Sequence, residues 1–360
     1  MKHLKNTFLL TLLLSMVGTT AFAQVVDTGS CGTGVTWTVT GTEGNYTLTI
    51  SGTGTMTNYW TESSVPWKTY RAGIKNAIVE SGVTTIGASA FYGCAITSFE
   101  VHSGITAIGG SAFQSCSNLT SVTVWPTTAT LGTSAFLDCS ANIYVLADKV
   151  DAYKAATNWK SYKTQISAIT ADQANNSASG AYWSTYYNGN YAVEADANTT
   201  VYKVSVAGTK ATLTEISDRI VNAGQGVVLK STTGPTTLTI YSSATETTDD
   251  YTGNELTGVD ENTTISGSAY DGKSIYTLAN ASGFGFYKFA GATLGANKAF
   301  LAFNSDVAAR DFFLFEDETT GINEAVKVNT SAQYFDLQGR SIAQPTKGLY
   351  IVNGKKVIVK

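Results

Sequence analysis

Chemistry in this 360-residue chain would have to pass through very few side chains. Two histidines are present, His3 and His102. A Ser-His-Asp or Cys-His relay needs one of them as its base, and no Gly-x-Ser-x-Gly turn accompanies either. A zinc site needs three or four His, Cys or acid ligands at close spacing, and no such cluster occurs. Asp249, Asp250, Asn254 and Glu255 offer oxygen ligands for calcium, but their spacing is not that of an EF-hand. The glycines of Gly224-Gln225-Gly226 and Gly283-Phe284-Gly285 lack the helix that a phosphate cradle requires, so they read as turns. The 27 acids leave room for a glycosidase-like carboxylate pair. No pattern singles out a catalytic residue, a metal or a cofactor, and the chain reads as non-enzymatic.

The elements that would position any site are β-strands. Thr, Val, Ile, Tyr and Phe are abundant beside 34 glycines, and charged residues make up only 14%. A formal charge of −4 gives no electrostatic footprint for nucleic acid. Lys2 and Lys5, the apolar run Phe8–Val17 and the small-residue site Ala21-Phe22-Ala23 read as a secretory signal peptide over residues 1–23. Its removal takes His3 with it and brings the charge near −6. No later run is apolar over the 18 residues of a membrane span, so the expectation is a secreted or cell-surface protein.

A repeat organises the first half. Ile86-Gly87-Ala88-Ser89-Ala90-Phe91-Tyr92-Gly93-Cys94 recurs as Ile108-Gly109-Gly110-Ser111-Ala112-Phe113-Gln114-Ser115-Cys116. A third copy is Leu131-Gly132-Thr133-Ser134-Ala135-Phe136-Leu137-Asp138-Cys139. This period is that of leucine-rich-repeat solenoids, with one short strand per coil. Equivalent cysteines in successive coils predict a ladder of buried thiols rather than disulfides, and Cys31 has no evident partner. Strands follow each cysteine, and alternation sends Phe99, Val101, Val122, Val124, Ile143 and Val145 inward. Glu100, Thr123 and Tyr144 face outward in one row, with His102 and Trp125 at the strand ends. A hairpin from Val35–Val39 and Tyr46–Ile50 is expected to close the open N-terminal end. A helix within Asp148–Lys163, with Asp148 as N-cap and Val150, Tyr153, Thr157 and Tyr162 at helical spacing, is expected to close the other.

The motif Ile-Gly-x-x-Ala-Phe-x-x-Cys-x-x-Leu-Thr-Ser-Val resembles the BspA-like class of bacterial leucine-rich-repeat surface proteins. Gly52-Thr53-Gly54-Thr55-Met56 with Pro66-Trp67 resembles that family's opening segment, and Ile143-Tyr144-Val145 with Val150–Lys154 resembles its closing cap. The resemblance covers residues 24–169, with three clear repeats. It implies a secreted or displayed adhesin that binds host matrix proteins or other cells.

Residues 170–180 turn small and polar and read as a linker. Residues 181–320 then carry short alternating strand candidates: 200–206, 210–216, 227–230, 236–241, 274–279, 284–289, 298–303 and 311–315. They predict an antiparallel β-sandwich-like domain. Within it Tyr182, Trp183, Tyr186, Tyr187 and Tyr191 read as a packed strand or, alternatively, as a stacking surface for sugars. Residues 321–360 form a small C-terminal β tail with a hairpin turning at Asn353-Gly354. The tail resembles type IX secretion sorting domains, which implies secretion machinery as a partner and association with the outer-membrane surface. It also reads as a hairpin completing the preceding sheet.

The expected fold is therefore mainly β: a short leucine-rich-repeat solenoid, a sandwich-like domain and a tail. The expected work is binding of an extracellular protein or glycan, with no cofactor, metal or nucleic acid. The contact residues are Glu100, His102, Thr123, Trp125 and Tyr144. A glycan-binding accessory protein acting through the aromatics of the second domain is the alternative.

Overall fold

The computed structural model describes residues 24–174, 176–178, 180–208, 210–242, 250–265, 269–280, 284–304, 311–315, 322–326, 334–335, 341–342, 348–352 and 355–359. The signal peptide expected over residues 1–23 lies outside them. Two compact units make up the chain, residues 1–145 with 151–167, and residues 146–150 with 168–360. Both are built mainly of strands.

The first unit is the solenoid. Its front sheet pairs Ser98–Val101, Ser121–Val124 and Asn142–Val145 in parallel, and Ile166–Ala168 borders the last. Its rear sheet pairs Gly54–Thr55, Val83–Ile86, Ala107–Ile108 and Thr130–Leu131, also in parallel. Phe91, Phe113 and Phe136 are buried and form a spine through the coils. Successive ring centroids are 5.2 Å apart, with the planes 12° and 6° from parallel. Beside them Cys94 and Cys116 are buried and Cys139 half-buried, all as free thiols, as the apolar character of a stacked cysteine requires.

The glycine of each copy is dictated by coil spacing. A Cβ on Gly109 would lie 2.3 Å from the Ala88 nitrogen, and one on Gly132 would lie 2.2 Å from the Gly110 nitrogen. Gly109 N–H donates to Ile86 at 2.8 Å and Gly132 N–H to Ile108 at 2.7 Å, so the backbones are held at this distance. Two residues later Ser111 and Ser134 turn the chain at φ of 54° and 57°.

Both ends are covered. Val35–Thr42 and Asn45–Gly52 form the expected hairpin, to which Val25–Gly32 adds an outer strand. Asn45–Gly52 then pairs in parallel with Ile74–Val79, which ties the hairpin to the solenoid. The closing cap differs from the long helix expected. Only Val150–Ala155 is α-helical, and a 3₁₀ turn covers Trp159–Tyr162. Asn158 breaks the run at φ 64° because its side chain donates to the Leu131 carbonyl at 2.6 Å. The indole of Trp159 donates to Ala129 at 2.7 Å. The buried pair is Tyr153 and Trp159, whereas Thr157 is exposed. These bonds occupy carbonyls within and just before the last rear strand, at an edge otherwise open to pairing. Asp148 does not cap the helix. Its carboxylate accepts from the amide and hydroxyl of Ser242 at 2.8 and 2.5 Å.

In the second unit the polar stretch read as a linker is strand. Thr170–Gln173 pairs antiparallel with Thr236–Tyr241, and Asn176–Ala178 pairs with Ala181–Tyr186. Its polarity is that of an edge strand, with Thr237 donating to Asp172 at 2.9 Å. Thr236–Tyr241 continues to Ala192–Ala195 and Ile220–Val221 in one four-stranded sheet. A larger sheet runs through Ala181–Tyr186, Val227–Ser231, Thr199–Ala207, Lys210–Ile216, Phe312–Phe315, Phe284–Lys288, Lys273–Asn280, Lys298–Phe303 and Leu256–Val259. Its pairings are antiparallel except Lys210–Ile216 with Phe312–Phe315, which is parallel. Trp183, Val204, Tyr276, Phe286, Leu301 and Phe313 lie in its core. The tail belongs to this second unit. Gly348–Val352 and Lys355–Val359 pair as expected, and their turn at Asn353-Gly354 lies outside the described residues. No helix among the described residues is long and apolar enough to cross a membrane.

Candidate functional site

Parallel register places three of the expected contact residues side by side. Glu100 pairs with Thr123, and Thr123 with Tyr144, on adjacent front strands. Because Phe99, Val101, Val122, Val124, Ile143 and Val145 point inward and are buried, the residues between them must face out. Glu100 is exposed, and Thr123 and Tyr144 are half-buried by their neighbours.

Trp125 joins this row. Its indole N–H donates to Glu100 Oε1 at 2.6 Å, and its backbone N–H donates to the Val101 carbonyl at 3.0 Å. The result is an acid, a hydroxyl, a phenol and an indole on one hydrogen-bonded sheet, with the indole held by the acid. Such a surface can hydrogen-bond and stack with little conformational entropy lost on binding.

His102 is not brought into the row. It is half-buried, its Nδ1 accepts from the Gly104 N–H at 3.1 Å, and its Nε2 is buried with no hydrogen bond of good geometry among the described residues, beside the backbone of Glu80 and Val83. Burial pushes its pKa below the ordinary 6.5, a direction opposed by the backbone of Glu80 and Val83 and by Glu100. Its ring is a packing element of the coil turn.

Three features escaped the residue-level reading. Ser98, Ser121 and Asn142 form a second outward row in register with the first, a feature legible as the positions two residues upstream. Trp60 is 91% exposed on the loop before Pro66, and nothing in its local pattern separates it from buried Tyr59. An open cleft of about 610 Å3 lies between Thr127–Leu131 and the cap residues Ala152, Tyr153, Ala156, Thr157 and Trp159. Its lining carries no charged side chain. Tyr153 fixes its wall by donating to the Pro126 carbonyl at 2.8 Å, one residue after Trp125.

The aromatics of the second unit divide between packed and exposed positions. Trp183 and Tyr186 are buried, and Trp183 packs against Tyr202, Phe284 and Phe315 with Lys230 over its ring at 5.1 Å. Tyr182 keeps 37% exposure. Of the calcium candidates, Asp249 lies outside the described residues. Asn254 spends its amide on Val204 N–H and the Gly226 carbonyl, and Asp250 accepts from Thr252 N–H.

A family model supports the repeat reading. No curated protein matches the chain. A crystal structure of a leucine-rich repeat protein from Eubacterium ventriosum is similar at 25% identity and a TM-score of 0.26. The similarity covers 34% of this chain and 38% of that one, so the chain spans little more than a third of its length. The family model reaches back over Ile74–Val79 and forward across the cap, beyond the three cysteine-marked copies. Residues 70–163 thus match the BspA type leucine rich repeat region in six copies, a family often displayed or secreted, used in binding and typically non-enzymatic.

Proposed function

We propose that this chain is a secreted or cell-surface bacterial binding protein, adhesin-like in its action, which uses the front of its solenoid to hold an extracellular protein or glycan. The observation that carries the reading is the register-aligned row Glu100–Thr123–Tyr144, with Trp125 fastened to Glu100. The row bears one carboxylate and no cation, so contact there rests on hydrogen bonding and aromatic burial more than on long-range steering. The signal peptide would deliver the chain out of the cytoplasm. The C-terminal hairpin would engage secretion machinery and leave the protein at the outer-membrane surface.

The test is an array of extracellular matrix proteins and glycans probed with the chain from Gln24 onward. Saturable binding that is lost in Tyr144→Ala and Trp125→Ala supports the proposal. Binding that survives both substitutions and is lost in Tyr182→Ala transfers the function to the second unit. It would favour the glycan-binding accessory reading.

A further inference from the structure

The cleft at the closing cap holds hydrogen-bond groups that the front row does not use. Along the last rear strand, Thr130–Leu131, the amides of Thr130 and Gly132 donate to Thr106 and Ile108 of the preceding coil at 3.0 and 2.7 Å. Strand alternation turns the backbone groups of Ala129 and Leu131 the other way, toward the cap. The cap takes both of their carbonyls, through the Trp159 indole at 2.7 Å and the Asn158 amide at 2.6 Å. It takes neither of their N–H groups, which find no acceptor among the described residues.

An open edge strand ordinarily offers donors and acceptors together; this one offers donors alone. Backbone amides in such a place are normally matched by an acceptor, whether water or ligand. The rest of the cleft shares the bias toward neutral chemistry. Thr127, Thr128 and Thr157 are exposed in its lining, and their hydroxyls make no hydrogen bond among the described residues. Ala129, Ala152 and Ala156 line it with methyl groups, and no charged side chain does.

We propose that this cleft binds a neutral acetamido sugar of a glycan. The acetyl carbonyl would accept from the Ala129 or Leu131 N–H, its methyl would pack among the alanines, and the threonine hydroxyls would meet the ring hydroxyls. Three comparisons select this class. A free carboxylate would need a cation, and the lining has none. A peptide strand added to the edge would bring its own N–H groups against carbonyls already spent on Trp159 and Asn158. A plain hexose would leave the alanine methyls without an apolar partner. The cleft shares no lining residue with the row Glu100–Thr123–Tyr144, so the proposal stands apart from the function assigned to the repeat face.

The test uses the full chain from Gln24, isotopically labelled, with the backbone amides of Ala129 and Leu131 assigned. N,N′-diacetylchitobiose, cellobiose and N-acetylalanine methylamide are titrated in turn. Diacetylchitobiose is expected to shift at least one of the two amides saturably. Cellobiose, the same disaccharide without acetamido groups, is expected to bind at least about tenfold more weakly, the scale of one hydrogen bond and one buried methyl. The methylamide, a model of an added peptide strand, should be weaker still. Ala152→Leu, at an exposed lining residue, should abolish the shift by filling the cleft, while Tyr144→Ala in the front row should leave it unchanged. The wild-type titrations decide by themselves should Ala152→Leu fold poorly. No saturable shift with diacetylchitobiose, equal binding of cellobiose, tighter binding of the methylamide, or an undiminished response in folded Ala152→Leu would each overturn the proposal.

Discussion

Replacing Phe113 by alanine tests the physical basis of the solenoid. Phe113 is fully buried at the centre of the spine, 5.2 Å from Phe91 and from Phe136, with Phe99 edge-on at 4.7 Å. Emptying a core phenylalanine site costs about 3–5 kcal/mol, and aromatic pairing adds about 0.5–1.5 kcal/mol per pair beyond area. Such measured losses already contain the ring contacts, so three ring partners place Phe113→Ala at the upper end of the range, about 4–5 kcal/mol, a large share of the 5–15 kcal/mol typical of a domain. The cavity lies between coils that contact only their neighbours, so cooperativity should fall as well as stability. Urea unfolding followed by fluorescence reads both, since Trp67 and Trp159 are buried in this unit. The denaturant slope should decrease, because the two sides of the cavity unfold separately. The matched control is Leu137→Ala, at a residue 45% exposed, which should stay within about 0.5 kcal/mol. A loss below about 1 kcal/mol for Phe113→Ala, with an unchanged slope, would refute the claim that the rings form one packed column.

Three further outcomes follow from the same structure. Gly132→Ala should cost about 1–3 kcal/mol or more in urea unfolding, because its Cβ would meet backbone atoms of the preceding coil; Gly110→Ala, whose nearest contact would be the Thr133 carbonyl at 3.2 Å, should cost less. Burial pushes the Cys116 thiol up to about 12 and Cys31 to about 11, so a thiol reagent should label half-buried Cys139 first and reach all four only after unfolding. Rapid native labelling of Cys116 would contradict its place in the ladder. For Asp148, burial raises the carboxyl pKa, but the hydrogen bonds from Ser242 and the adjacent Lys149 outweigh this and hold it below the ordinary 3.8. The unfolded state then binds more protons on acidification, so this contribution is complete above 3.8 and fades as pH falls through the lower folded value. Asp148→Asn should flatten the dependence of the urea midpoint on pH below about 5, and an unchanged profile would remove Asp148 from the account.

Much of this architecture was legible because period and burial coincide. Strands at Lys210–Ile216, Thr236–Tyr241 and Lys298–Phe303 start and end where alternation places them. The outward row was legible for the same reason, since a buried residue on each side of Glu100, Thr123 and Tyr144 leaves them no other direction. Local pattern failed where a long-range bond decides conformation. Asn158 ends the cap helix to reach Leu131, Asp148 leaves the cap position for Ser242, and Thr170–Gln173 becomes strand only by finding Thr236–Tyr241. Side-chain direction beyond the strand ends was equally hidden. Trp125 and His102 occupy similar positions, yet one turns onto Glu100 and the other packs into the turn at Gly104.

The most direct test of the central claim is the dissociation constant of one ligand found by the array, measured for the wild-type chain and for substitutions of the front row. Tyr144→Ala and Trp125→Ala should each weaken binding at least about tenfold, the scale of an aromatic contact residue at an interface. Glu100→Gln should weaken it less, since the amide can still accept from the Trp125 indole. Tyr182→Ala, in the second unit, should leave it unchanged. Equal affinity across the front-row substitutions, with each protein folded by near-ultraviolet circular dichroism, would contradict the assignment of binding to the repeat face.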